Sequence, residues 1–449
     1  MKGLSLRQRL LRLSMYCLIG LSFIFASLAA VPDWTMLVFV QANNNLANFA
    51  VKNFSDMALV GSNAKVNLLV QWYQTGRKGI WRYKIEKEKM ILDECFQAAE
   101  TDGSKAADLV GAMRWAVTKY PARNYSLVLW DHGIGILDPI WGAQGRQRGG
   151  YERIDMDEAM VASNPRIQIA GLTTDAESTL TLEQRLDMSY TSTRGILFNE
   201  HSRTYMDNQN LASALHTIKT QVLNNRKIDL LGMDACLMAM VEVGYLARDC
   251  VHYMVGSQEV ELGYGWNYHA LSASLSHEAL SPLQLAQSIV HVYEAFYQPK
   301  VQFYTQSAVD LDQIKMLKDS IDQVVRAVGV CKQSDRAAIG DALRKARQAC
   351  LQFSAVNYID LYSFYTELLK TVDARVTGAT RGVADLKNAI RQSMAMIEHA
   401  VVANAAGKNL DRAHGLSIYY PQGRIDASYV KTEFANECLW TTMIRELYG

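Results

Sequence analysis

Almost no charge excess exists in this 449-residue sequence: 46 Lys and Arg stand against 45 Asp and Glu, for a net charge of +1. A chain without a basic surplus has little with which to neutralise phosphates, so a dedicated nucleic-acid surface is set aside. Low-complexity tracts and short-period repeats are absent, which argues against repeat architectures. After residue 30 no stretch is apolar for long enough to span a bilayer. The seven cysteines lack paired spacing. Apart from Cys17 near the amino terminus and Cys236, discussed below, five remain: Cys95, Cys250, Cys331, Cys350 and Cys438. An odd set without zinc-type intervals does not indicate a disulfide framework, and one or two bridges stay open in an oxidising compartment.

The amino terminus is informative. Lys2, Arg7, Arg9 and Arg12 precede an apolar run from Leu13 to Ala30, which ends Ala26-Ser27-Leu28-Ala29-Ala30. A basic start, an apolar middle and small residues at the end make residues 1–30 a secretory signal. The alternative is an uncleaved anchor, which would be the chain's one route to a membrane. Either way the protein is expected to be exported, to a periplasmic, cell-surface or secreted location. The remaining length suggests two or three domains.

Apolar strand-like runs alternate with amphipathic helices from Trp34 onward. Trp34–Gln41, Lys65–Trp72, Tyr125–Trp130, Ile228–Cys236 and Val251–Gly256 read as buried strands, and residues 79–92 as a hairpin. This alternation predicts an α/β fold with a mostly parallel central sheet flanked by helices. We expect a catalytic domain over 31–311, interrupted by a long irregular loop at 134–203. A helical C-terminal subdomain is expected over 312–449, with a strand near 415–420 that returns the chain to the sheet.

Two strands end in reactive side chains. His132 closes Tyr125–Trp130, followed by Gly133, and Cys236 closes the run that starts at Ile228 and ends Asp234-Ala235-Cys236. Ligands gather at the carboxyl edge of open α/β sheets. The apolar run Leu237–Ala247 predicts that Cys236 sits on the first turn of a helix, whose dipole would favour thiolate. A lone Cys in apolar company is otherwise a small buried hydrophobe. Paired with a histidine at a neighbouring strand end, it can cleave amides or esters through a covalent intermediate. Gly133 would let a substrate approach and supply an oxyanion N–H together with the N–H of Cys236. The other histidines have no metal-ligand spacing.

Trp130-Asp131-His132-Gly133, Met233-Asp234-Ala235-Cys236-Leu237-Met238, Ser257-Gln258-Glu259 and Gly263-Tyr264-Gly265-Trp266 together resemble the clostripain family of cysteine peptidases. The resemblance runs from Trp34 to the Gly415–Pro421 segment. It implies a caspase-like sandwich shared with caspases, gingipains and legumains, with His132 as general acid/base and Cys236 as nucleophile. It implies cleavage of polypeptides after Arg or Lys, with Asp234 at the base of the specificity pocket. A second acidic pocket position falls on Tyr264 here; Glu259 and Glu261 lie nearby, and Glu259 is taken as a further pocket residue. Family members often mature by internal cleavage, which points to Arg146 or Arg148 in the 134–203 loop, with Arg153 behind them. Some members need calcium. No acidic cluster here has EF-hand spacing, so no cofactor is expected to be required and calcium stays open. A monomer suffices, since one chain carries both catalytic residues. The competing readings are an inactive caspase-like binding module and another thiol acyl-transfer enzyme.

Overall fold

The computed structural model describes residues 31–74, 77–96, 103–139, 168–169, 196–375 and 381–448. In chain order these form β1 (Trp34–Ala42), α1 (Ala47–Ala58), β2 (Val66–Gln74), β3 (Arg77–Glu86), β4 (Lys89–Phe96), α2 (Ala106–Lys119) and β5 (Asn124–Trp130). Next come β6 (Gln168–Ile169), β7 (Ile196–Asn199), β8 (Thr204–Met206), α3 (Asn208–Thr217), β9 (Ile228–Asp234), α4 (Val241–Ala247) and β10 (Val251–Gly256). They are followed by α5 (Tyr268–His277), α6 (Pro282–Tyr297), β11 (Thr305–Asp310), α7 (Ile314–Ala349), β12 (Tyr358–Asp360), α8 (Leu361–Arg375) and α9 (Arg381–Ala400). The chain closes with β13 (Val401–Ala406), β14 (Ser417–Tyr419), α10 (Glu433–Glu437) and α11 (Trp440–Tyr448).

Among the described residues the central sheet runs β13-β11-β10-β9-β5-β1-β2-β3-β4-β6. Its middle, β10-β9-β5-β1-β2, is parallel. Antiparallel β3 and β4 extend one side, and antiparallel β11 and β13 the other. Every residue of β1 and β9 is buried. A strand buried on both faces needs helices above and below, and the alternation of its side chains decides which go where. Leu37, Phe39, Leu127, Leu129, Leu231 and Met233 face the core formed with α2, α3, α4 and the C-terminal helices. Met36, Val38, Val40, Val128, Trp130 and Leu230 face the core formed with α1, α5 and α6.

The hairpin expected at 79–92 is β3–β4. The C-terminal region is mainly helical, with α7 interrupted by non-helical backbone at Asp335. Its return to the central sheet differs from the expectation. Val401–Ala406 re-enters the sheet, antiparallel to β11. The strand at 417–419 pairs instead with β12, with one parallel bridge from Ser417 to Met240. The Val-Val-Ala-Asn-Ala-Ala sequence of β13 reads as the tail of α9, because alanine favours helix; pairing with β11 overrides that preference.

Candidate active site

Neighbouring strands β5 and β9 run in parallel register, with Trp130 opposite Asp234. His132 and Cys236 each lie two residues beyond that pair. The Asp131 N–H continues the ladder by donating to the Asp234 carbonyl at 3.3 Å. The two strand-end turns then touch: a Cβ at Gly133 would lie 2.5 Å from the Cys236 carbonyl oxygen and 3.0 Å from Met238 Sδ. Only a glycine fits there. Among the described residues neither the Gly133 N–H nor the Cys236 N–H has a hydrogen-bond acceptor.

His132 is 7% exposed. Its Nε2 lies 2.7 Å from Asn45 Oδ1, in the turn that follows β1. The preceding Asn44 donates to Asp131 Oδ1 at 2.6 Å and to the Phe198 carbonyl at 3.0 Å. Asn43 donates to Asn199 Oδ1 at 3.0 Å. The asparagine run therefore ties β1, the His132 turn and β7 together. None of these asparagines was expected in the site from the sequence. The available signal was their place at the carboxyl end of a strand beside the histidine strand.

Cys236 does not sit on a helix. Helix α4 begins at Val241, and Cys236 occupies a turn in which Leu237 has φ +64°. A leucine in the left-handed region is strained and persists only where its surroundings hold it. Here the loop at 257–261 does so. Leu237 N–H donates to the Glu259 carbonyl at 3.0 Å, and Ala239 N–H to the Ser257 carbonyl at 2.9 Å. The Glu261 N–H points at Cys236 Sγ at 3.3 Å. The helix dipole expected to favour thiolate is absent. Burial pushes the Cys236 thiol up to about 12, with nearby Glu261, Glu259 and Asp234 acting in the same direction. The resting thiol is protonated and needs a base to ionise.

Asp234 lies beneath this turn. Its Oδ2 accepts from Tyr268 OH at 2.8 Å and from the Trp266 N–H at 3.3 Å. Glu261 is its acidic neighbour. Glu261 Oε1 accepts from Trp266 Nε1 at 3.3 Å and from Gln306 Nε2 at 3.1 Å. Burial raises both acids. Glu261 rises well above the ordinary carboxylate range, pushed further by Asp234. Each acid therefore favours its neutral form more than a free carboxylate does.

The other two expected pocket residues lie elsewhere. Tyr264 stacks on Phe296, with ring centroids 5.1 Å apart, and Lys52 Nζ lies 4.0 Å above its ring. The carboxylate of Glu259, 1% exposed, is not presented to a substrate. It accepts from the Val260 N–H at 2.7 Å and from the N–H and hydroxyl of Ser354. Glu261, two residues on, instead turns its Oε1 to Trp266 Nε1 and Gln306 Nε2. Arg146, Arg148 and Arg153 lie outside the described residues, as does the 1–30 segment.

The model of the clostripain family matches residues 38–154 and 183–446. The chain belongs to the clostripain family. It is a cysteine peptidase, a hydrolase acting on polypeptides. Its fold is similar to that of an inactive zymogen C11 protease from Parabacteroides distasonis, at 18% identity and a TM-score of 0.58, over 91% of this chain and 99% of that one. It is equally similar to a secreted C11 cysteine protease from Bacteroides thetaiotaomicron solved with an irreversible peptide inhibitor. That match has 17% identity and a TM-score of 0.58, over 92% of this chain and 99% of the other. No curated protein sequence matches the chain. The expected caspase-like sandwich is thus the fold of this clostripain-family peptidase.

Among the described residues no group of three or more His, Cys, Asp or Glu side chains is placed to hold a metal ion. Described cysteines other than Cys236 are also unpaired. His414 stacks on Tyr362, with centroids 4.1 Å apart, and its Nδ1 faces Asp360.

Proposed function

We propose that this clostripain-family peptidase cleaves polypeptides through a Cys236–His132 dyad, with a preference for Arg or Lys before the scissile bond. The observation that carries the reading is the shared register of the two residues, each two positions beyond the paired Trp130 and Asp234 on adjacent strands. His132 takes the thiol proton as Cys236 Sγ attacks the scissile carbonyl. The N–H groups of Gly133 and Cys236 stabilise the oxyanion of the tetrahedral intermediate. The imidazolium then gives its proton to the leaving amine, and a thioester remains. Water, deprotonated by His132, attacks the thioester, and the acid product leaves with the thiol restored. Asn45 Oδ1, accepting from Nε2–H, holds the ring so that Nδ1 is the working base. No cofactor enters these steps.

The Asp234–Glu261 pair supports a basic residue at the cleavage position. Two neighbouring acids close to Cys236 offer negative charge to a guanidinium or ammonium group. Glu261 supplies the second acid that Tyr264 does not.

Export and self-processing belong to the same reading. The basic-then-apolar sequence of residues 1–30 is that of a signal, and no helix among the described residues is long and apolar enough to cross a membrane. Cleavage after Arg146 or Arg148 would use the enzyme's own preference in a glycine-rich stretch.

The deciding experiment compares wild type with Cys236→Ala. Expected results are hydrolysis of Arg- and Lys-containing peptides by the wild type alone. N-terminal sequencing and intact mass should show loss of residues 1–30 on export, and a cut after Arg146 or Arg148 only with Cys236 present. Activity persisting in Cys236→Ala would reject the dyad. A peptide library cleaved after uncharged residues would reject the basic preference.

A further inference from the structure

We propose that Glu259 is a positioning residue for the nucleophile: clasped by Ser354, it fixes the 257–261 loop against the Cys236 turn and so makes the C-terminal region a part of the catalytic geometry. This inference rests on Cys236 being the nucleophile, as proposed above.

The loop has two sides. Its backbone faces the nucleophile turn, where the carbonyls of Ser257 and Glu259 hold Ala239 and Leu237, and the Glu261 N–H reaches Cys236 Sγ. Its consecutive side chains Gln258 and Glu259 face the other way. Gln258 Nε2 donates to Asp360 at 3.0 Å, and its Oε1 accepts from the Gly415 N–H at 2.8 Å. Glu259 accepts from the Ser354 N–H at 3.0 Å and from the Ser354 hydroxyl. Thr305 Oγ1 holds the middle of the loop through the N–H groups of Gln258 and Glu259, at 3.1 and 3.0 Å.

A buried carboxylate is a poor choice if the loop needs only to be packed. Removing it from water costs free energy that an apolar side chain would not incur. What the carboxylate adds is direction, because two lone-pair sets must meet fixed donors on Val260 and Ser354. The object positioned is strained: Leu237, at φ +64°, has its N–H on the carbonyl of Glu259 itself. Loosening Ser354 from Glu259 would let that carbonyl move, and with it the Leu237 N–H and the adjacent Sγ. Displacements at this scale alter reaction rate more than substrate affinity.

The test uses the full-length protein carrying Glu259→Gln, Ser354→Ala or both. Steady-state hydrolysis of an Arg-containing peptide is measured beside the rate of Cys236 alkylation by iodoacetamide and the thermal melting curve. Glu259→Gln is expected to lower kcat about tenfold or more, with KM held within about twofold and the protein still folded. Ser354→Ala should act in the same direction more weakly, and the double variant should be no worse than Glu259→Gln. Alkylation should slow in parallel. Wild-type kcat in a folded Glu259→Gln overturns the proposal, as does an additive double variant. Should Glu259→Gln fail to fold, Ser354→Ala decides alone, and an unchanged kcat overturns the proposal. Cys236→Ala separates the two readings. Activity in that variant defeats the dyad, whereas an inactive Cys236→Ala beside a fully active Glu259→Gln defeats only the clasp.

Discussion

Trp266 joins Asp234 and Glu261: its backbone N–H donates to Asp234 Oδ2 at 3.3 Å and its indole Nε1–H to Glu261 Oε1 at 3.3 Å. Glu261 Oε1 is taken up by donors from Trp266 and Gln306, while among the described residues no donor reaches Oε2. Burial raises both acids, and the neighbouring Asp234 raises Glu261 further.

That arrangement makes the preference for basic residues depend on pH. Both acids are raised above the ordinary carboxylate range, so the pair loses its negative charge on acidification sooner than free carboxylates would. The ratio of kcat/KM for matched peptides with Arg and Gln at the cleavage position should fall as pH drops from 8 toward 5. Asp234→Asn removes the acid two residues before Cys236, and should reduce kcat/KM for Arg by about tenfold or more while sparing the Gln peptide. A ratio that stays level across this range would count against the pair as the basic-residue site.

The thiol of Cys236 predicts a distinct alkylation profile. Burial pushes it up to about 12, so thiolate is scarce at neutral pH. Iodoacetamide labelling should accelerate about tenfold per pH unit between 7 and 9, as expected when only the thiolate reacts. A rate that is already flat from pH 6 to 9 would show a standing thiolate–imidazolium pair in place of the protonated thiol.

Gly133→Ala should be severe. The added Cβ meets the Cys236 carbonyl at 2.5 Å, and that carbonyl belongs to backbone that cannot swing aside as a side-chain tip can. Either turn must shift, moving an oxyanion donor with it. We expect kcat to fall on the order of a hundredfold, the size seen when one oxyanion donor is lost. Stability should fall by about 1–3 kcal/mol, as for other overpacked sites. Peptide kinetics and urea unfolding of the same preparation check both, and near-normal kcat would exclude Gly133 from the oxyanion site.

Much of this architecture is legible in the sequence for a simple reason. Strands β1, β5 and β9 are nearly all apolar, because both their faces are buried, and such runs stand out without any partner being known. The reactive ends His132 and Cys236 follow directly. What escapes is set by contacts between distant segments. Leu237–Met240 reads as the start of a helix, yet Met240 bridges to Ser417 and Leu237 answers to Glu259, so the turn stays open until Val241. Which of Glu259 and Glu261 neighbours Asp234 depends on Trp266, Gln306 and Ser354, residues far apart in the chain. Asn45 gains its meaning only because β1 lies beside β5.

Glu242 extends the electrostatic reasoning from activity to stability. It lies in the first turn of α4, just past the nucleophile turn, and is buried. Its Oε1 accepts from the Tyr419 N–H at 2.8 Å and from Tyr429 OH at 3.1 Å. Burial outweighs these bonds and raises its pKa to about 7 from 4.5. The native state therefore keeps a proton that the unfolded chain releases between those values. Stability contributed by this protonated acid is full below the unfolded value, falls as pH rises through the interval, and is lost above about 7. The shift corresponds to a change on the order of 3 kcal/mol across the interval. Glu242→Gln retains an acceptor for Tyr419 and cannot titrate. Any fixed cost of the amide cancels when one variant is compared at two pH values. Between pH 5 and pH 8 the stability difference between the variant and the wild type should thus move toward the variant by about 2–3 kcal/mol. Urea unfolding at the two pH values measures it directly, and a difference that does not change with pH would mean that Glu242 is ionised in the native state throughout.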